Sequence, residues 1–128
     1  MPDLSLPIKT KILAQLDASS SVTSLVPPTS IFPMKVSANP TYPFIRYEGS
    51  LFDSYESSCG EGVEGPVRLH VFALGETSAQ IIAAAVADAV ASTEGFQSID
   101  WTRTQFIMDD QEADIWHSIV DFSVVHTA

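Results

Sequence analysis

Residues 66–92 read PVRLHVFALGETSAQIIAAAVADAVAS, and this stretch decides the class of the fold. In its first half Val67, Leu69 and Val71 alternate with Arg68 and His70, the two-residue period of a strand with one face in a core. Phe72 breaks the polarity of the second face, so that face is expected to be covered in part. Gly75 ends the strand. From Thr77 the period becomes helical and runs to about Ser92, with Ile81, Ile82, Ala85, Val86, Ala89 and Val90 as the buried stripe. Gln80 stands three residues after Thr77, the spacing of a capping box. The many alanines let such a helix approach a sheet closely.

Downstream, residues 99–108 predict a strand with Thr102, Thr104, Phe106 and Met108 on one face and Trp101, Arg103, Gln105 and Ile107 on the other. Residues 115–125 predict a second, with Trp116, Val120, Phe122 and Val124 on one face. The acidic turn between them holds Asp109, Asp110, Glu112 and Asp114. Upstream, Leu4, Ile8, Ile12 and Leu16 recur every fourth residue, with Leu13 beside them, and predict an amphipathic helix. Pro7 falls in its first turn, and Asp3 or Ser5 is placed to cap it. Val22, Leu25 and Val26 suggest another short helical turn, ended by Pro27 and Pro28. Ile31-Phe32-Pro33 reads as an edge segment, and Phe44–Glu48 as a strand with Ile45 and Tyr47 pointing together. Residues 49–66 are the least regular part and read as an extended loop or protruding hairpin arm that orders against a neighbour. The 128 residues make one domain, α+β in class, with a mostly antiparallel sheet and two main helices packed on one face.

Charge narrows the function. There are 16 acidic and 6 basic residues, for a formal net charge of -10, and Lys9, Lys11, Lys35, Arg46, Arg68 and Arg103 form no basic run. Tight nucleic-acid binding draws on clustered Lys and Arg, so sequence-specific DNA binding is not expected. An acidic wall does suit a passage through which DNA slides without sticking. The single Cys59 cannot make an intrachain disulfide and reads as an inert loop thiol. No apolar run reaches the ~20 residues of a membrane span, and the first residues lack the pattern of a signal peptide. The expected place of synthesis is therefore the cytosol, with no membrane partner.

No constellation for catalysis emerges. His70, His117 and His126 lack ligand spacing and read as surface or interface residues, with His70 and His117 possible cross-strand neighbours. The acidic turn lacks the glycine and closing glutamate of a calcium loop and reads as a solvated tip, or as a contact for a basic patch on a partner. Gly60, Gly62 and Gly65 lack the strand and helix that frame a phosphate cradle, and no serine elbow is present. Trp101 and Trp116 read as core or interface anchors. No cofactor or metal is called for, and the chain reads as a non-enzyme.

An ordered series of short motifs carries a family resemblance. An N-terminal helix bearing Ile8, Ile12 and Leu16 is followed by Ser30-Ile31-Phe32-Pro33, then Thr41-Tyr42-Pro43-Phe44-Ile45. Next come Val67-Arg68-Leu69-His70-Val71-Phe72-Ala73 with the helix of Ala79, Ile82 and Val86, then Gln105-Phe106 and Asp109, and last Phe122-Ser123-Val124. This series resembles the tail-completion family of siphophages and gene transfer agents, related to the lambda-type tail terminator, over nearly the whole chain. Ser30 departs from it, standing where the family has arginine. The resemblance implies a structural virion protein, with no catalytic residues, forming a hexameric ring at the head-proximal end of the tail tube. That ring stops tube growth, joins the tail to the neck and lets DNA pass without specific binding. The partners so implied are further copies of the chain, the tail tube protein and a head–tail connector or stopper protein, in the virion tail after assembly in the host cytoplasm. Phe52 and Tyr55 on the arm and Asp109, Asp110, Glu112 and Asp114 in the turn are the expected interface residues. A stopper or adaptor role is the alternative, and a small ligand-binding or enzymatic α+β domain is the third.

Overall fold

The structure, a computed structural model, describes residues 3–33, 35–36, 38–49, 51–57 and 60–127. Cys59, and with it the expectation of an inert thiol, lies outside them. The elements run α1 (Ser5–Ala18), α2 (Ser20–Thr23), one 3₁₀ turn (Pro28–Ser30), β1 (Ile31–Phe32), β2 (Phe44–Glu48), β3 (Asp53–Ser57), β4 (Gly60–Leu74), α3 (Glu76–Ala91), β5 (Ser98–Asp110) and β6 (Ile115–Thr127). The six strands of the described residues share one sheet in the order β1-β2-β4-β6-β5, with β3 also paired to β4. Among them only the β1–β2 pairing is parallel. The expected α+β class, with a mostly antiparallel sheet, is what the chain adopts.

The core lies between the helices and one sheet face. Ile8, Ile12 and Leu16 from α1 and Ala79, Ile82, Val86 and Val90 from α3 bury against Ile45, Tyr47, Val67, Leu69, Val71, Val120 and Phe122. Each fully buried Val, Leu or Ile side chain there contributes roughly 1.5–3 kcal/mol. We call this side the helix face and the opposite side the open face. No helix among the described residues is long and apolar enough to cross a membrane.

Local chemistry at the helix starts only partly follows the sequence reading. Asp3 accepts the Ser5 amide at 2.9 Å, as its position suggested. The capping box at Thr77 does not form: α3 begins at Glu76, its N-cap is Gly75, and no side chain caps it. Gly75 takes φ 90°, a conformation that favours glycine, and its amide donates to the Asp114 carbonyl at 2.8 Å. The helix start is thereby fastened to the β5–β6 turn. Ile81, expected on the buried stripe, is 54% exposed, because the stripe runs through Ala79, Ile82, Ala83 and Val86 instead.

Within 49–66 the described residues are more ordered than their composition suggests. β3 and the first five residues of β4 form an antiparallel hairpin, and β4 also pairs with β6 from Gly62 onward, so the strand starts well before Pro66. A Cβ at Gly62 would sit 2.5 Å from the His126 carbonyl oxygen, and one at Gly65 would collide with the Leu51 carbonyl and the Phe52 ring. These glycines permit close approach of backbones, one of the meanings glycine has inside a strand. Pro66 is tolerated because β3 pairs with residues 60–64 and β2 with residues 68–72, leaving Pro66 without a strand partner on that side among the described residues.

A candidate assembly surface

On the open face the strand register lines side chains into three rows. The first places Phe44, Phe72, His117 and Ile107 side by side across β2, β4, β6 and β5. Phe44 and Phe72 stack with centroids 4.7 Å apart, and Phe72 and His117 at 4.1 Å. The second row holds Arg46, His70, Ile119 and Gln105. The third alternates in charge: Glu48, Arg68, Asp121, Arg103. Asp121 accepts from Arg68 Nε at 2.8 Å and from Arg103 Nη2 at 3.1 Å, and so ties β4, β6 and β5 together. Burial alone would raise the Asp121 carboxyl, but the two guanidiniums outweigh it and hold it below its ordinary value.

A chain of contacts crosses the rows. Glu48 Oε1 lies 3.0 Å from His70 Nε2, and His70 Nδ1 lies 2.7 Å from His117 Nε2. His117 Nδ1 stands 3.8 Å from Asp109 Oδ1. An ionised Glu48 can only accept, which places a proton on His70 Nε2 and leaves Nδ1 of neutral His70 to accept from His117. Burial lowers the proton affinity of both rings; Glu48 opposes this at His70, while the neighbouring His70 adds to it at His117. His70 and His126, expected at the surface or an interface, are buried within the chain, because the aromatic stack flanks one and Phe96 packs edge-on against the other. Among the described residues no group of three metal-ligating side chains stands together. The histidine chain locks strands to one another.

The opposite impression comes from β5, the last strand of the sheet. A bulge at Thr102 separates the pairs Trp101↔Phe122 and Arg103↔Asp121. It moves Trp101 onto the helix face with Thr104, Phe106 and Met108, correcting the strict alternation expected from the sequence. α3 packs over β4 and β6 and also meets β5, but leaves this strip only partly covered: Trp101, Phe106 and Met108 are 52, 40 and 46% exposed. Between α3 and β5 runs a groove of about 300 Å³ floored by Ala83, Ala84 and Ala87 and walled by Trp101 and Phe106. A long apolar edge strand with open backbone groups is a surface that proteins normally cover or charge.

The interface residues expected from sequence fall at two places. Phe52 is partly buried against the core and beside Gly65, and Tyr55 Oη donates to Gln97 Oε1 at 2.7 Å, so both also tie the hairpin to its own chain. In the acidic turn, Asp110 Oδ1 accepts the amides of Glu112 and Ala113 at 3.0 and 3.2 Å. Asp114, at φ 54°, accepts from Trp116 Nε1 at 2.9 Å. Glu112 is exposed. Sequence reasoning missed the Arg68–Asp121–Arg103 cluster, although an aspartate between Val120 and Phe122 in an apolar strand is a signal that a buried charge has partners.

The family model described as Tail completion protein gp17 matches residues 10–127. No curated protein matches the sequence. Among solved structures, a chain from the "Virion of native gene transfer agent (GTA) particle" superposes with a TM-score of 0.76 at 19% identity, covering 94% of each chain, and so shares the fold.

Proposed function

The chain belongs to the Tail completion protein gp17 family, a structural family of virion tails rather than an enzyme family, and from that premise we propose that it closes the tail tube. In this reading, copies form a ring, six in the family it resembles, at the head-proximal end of the tube. The ring halts addition of tube subunits and offers its other side to the head–tail connector. The observation that carries the reading is the family match over residues 10–127, which leaves out only residues 1–9 and 128. Two features support it. The net charge of -10 keeps a passage wall from holding DNA. The hairpin with Phe52 and Tyr55 and the turn with Asp109, Asp110, Glu112 and Asp114 sit at the sheet's margins, where contacts to the tube, the connector or another copy are available.

Electron microscopy of particles made without this gene tests the proposal. A terminator leaves overlong or unattached tails beside tailless, DNA-filled heads. Tails of normal length with leaking heads would move the protein to a stopper position, and unaltered infectious particles would remove the tail role altogether.

A further inference from the structure

We propose that the exposed strip of β5 is one half of a head-to-tail contact between copies of this chain, and that the other half is the α1–β2 side at the far edge of the sheet. The inference rests on the ring reading above and names the surfaces that would build such a ring. Three observations lead to it.

The two edges of the sheet are unlike. β5 offers thirteen residues of free edge with Trp101, Phe106 and Met108 exposed on its helix face and Ile107 on its open face. At the far side, β1 is two residues long and Pro33 follows it. There Leu6, 68% exposed, and Lys9 border a depression with Tyr47 and Gly49. The Tyr47 hydroxyl is buried at that place with no hydrogen-bond partner among the described residues. A buried hydroxyl left unpaired is costly, and a donor or acceptor arriving with a neighbour would relieve it.

Charge chooses the occupant. Asp88, Asp100, Asp109 and Asp110 surround the β5 strip and are exposed. Two β5 strips placed against each other would bring these carboxylates together, so self-pairing is disfavoured. The three arginines lie on the open face, each within ion-pair distance of Glu48 or Asp121. Lys9, Lys11 and Lys35 form no salt bridge among the described residues; Lys9 borders the far-edge depression and Lys35 follows β1. A second copy presenting that side sets lysine against aspartate and Leu6 against Trp101 and Phe106.

Geometry then dictates the form of the assembly. The two surfaces sit at opposite edges of one sheet, so each copy uses one to give and the other to receive. Such a heterologous contact repeats, and closes into a ring when the rotation per copy divides the circle.

Photo-crosslinking in assembled particles tests this, with a light-activated residue in place of Phe106 in one strain and of Leu6 in another. Each strain is expected to give a product of twice the chain's mass. Its linked peptides should join residue 106 to residues 3–11 or 44–49 of another copy, and residue 6 to residues 98–108. Links from 106 to another copy's 106, links only to a different virion protein, or no links at all would overturn the pairing while leaving the tail role standing. Purified particles that lack the chain would instead sink the tail role, and the pairing with it.

Discussion

The Nδ1 atom of His70 lies 2.7 Å from Nε2 of His117, two rings from neighbouring strands offset diagonally across the register. Burial lowers the proton affinity of both, and of His126, below the ordinary histidine value of 6.5. The unfolded chain therefore takes up protons first as the pH falls. Stability is fully present above about pH 6.5 and is lost progressively below it, down to the depressed folded values. Urea midpoints measured from pH 8 to pH 5 should fall accordingly. His117→Gln can still donate to His70 but cannot titrate, so its curve should be flatter; a slope equal to that of the parent would refute the assignment.

Asp121 holds two guanidiniums at once, and its own side chain is largely out of water. Asp121→Asn leaves Arg68 and Arg103 adjacent with no full counter-charge. Because both arginines are partly exposed, water screens the loss, and the expected cost is about 1–2 kcal/mol, between surface and buried ion-pair values. The substitution also reduces the net charge of -10, which by itself relieves repulsion. A fall in the urea midpoint therefore reports the local cluster, and an unchanged or raised midpoint would show that the cluster contributes little.

Gly65 lies where a Cβ would meet the Leu51 carbonyl and the Phe52 ring. No positive φ is needed there, so space alone forbids a side chain. Gly65→Ala must push the chain before β3 away from β4, at an expected cost of roughly 1–3 kcal/mol. Faster proteolysis within residues 51–57, with the rest of the chain still protected, is the diagnostic readout. Cleavage at the parent's rate would mean that the hairpin tolerates the displacement.

Much of the fold was legible because its signals are local and periodic. Ile8, Ile12 and Leu16 announce α1, and Val67, Leu69 and Val71 announce the centre of β4, since burial of one face imposes the spacing. Three features were not legible, each for a physical reason. The glycines 60, 62 and 65 look like a loop by composition, yet 62 and 65 serve close packing that only the folded neighbours reveal. The start of α3 looked like a capping box at Thr77, but the Gly75 amide is claimed by Asp114, nearly forty residues away. The bulge at Thr102 leaves no mark in the pattern, so the face of Trp101 was misread. The candidate surface suffered most: exposure of β5 follows from how far α3 reaches across the sheet, a tertiary property. A charged fraction of 17% is compatible with apolar surface that remains to be covered but does not say where it lies.

That bulge supplies a sharp test of register. Trp101 pairs with Phe122 and Arg103 with Asp121, so Thr102 is the extra residue, and its removal leaves every other pairing of β5 in place. What is lost is the bond from Thr102 Oγ1 to the Asp121 carbonyl at 3.1 Å. Deleting Thr102 should therefore cost only about 1 kcal/mol, the scale of one hydrogen bond. Deleting Gln105, an ordinary ladder residue opposite Ile119, has no such refuge. Either Phe106 and Met108 change faces or Arg103 leaves Asp121, and the expected cost is roughly 2 kcal/mol or more. Thermal unfolding of the two deletion variants, read side by side, decides the matter. Equal losses, or a larger loss for the Thr102 deletion, would mean that Thr102 is not the extra residue between Trp101 and Arg103.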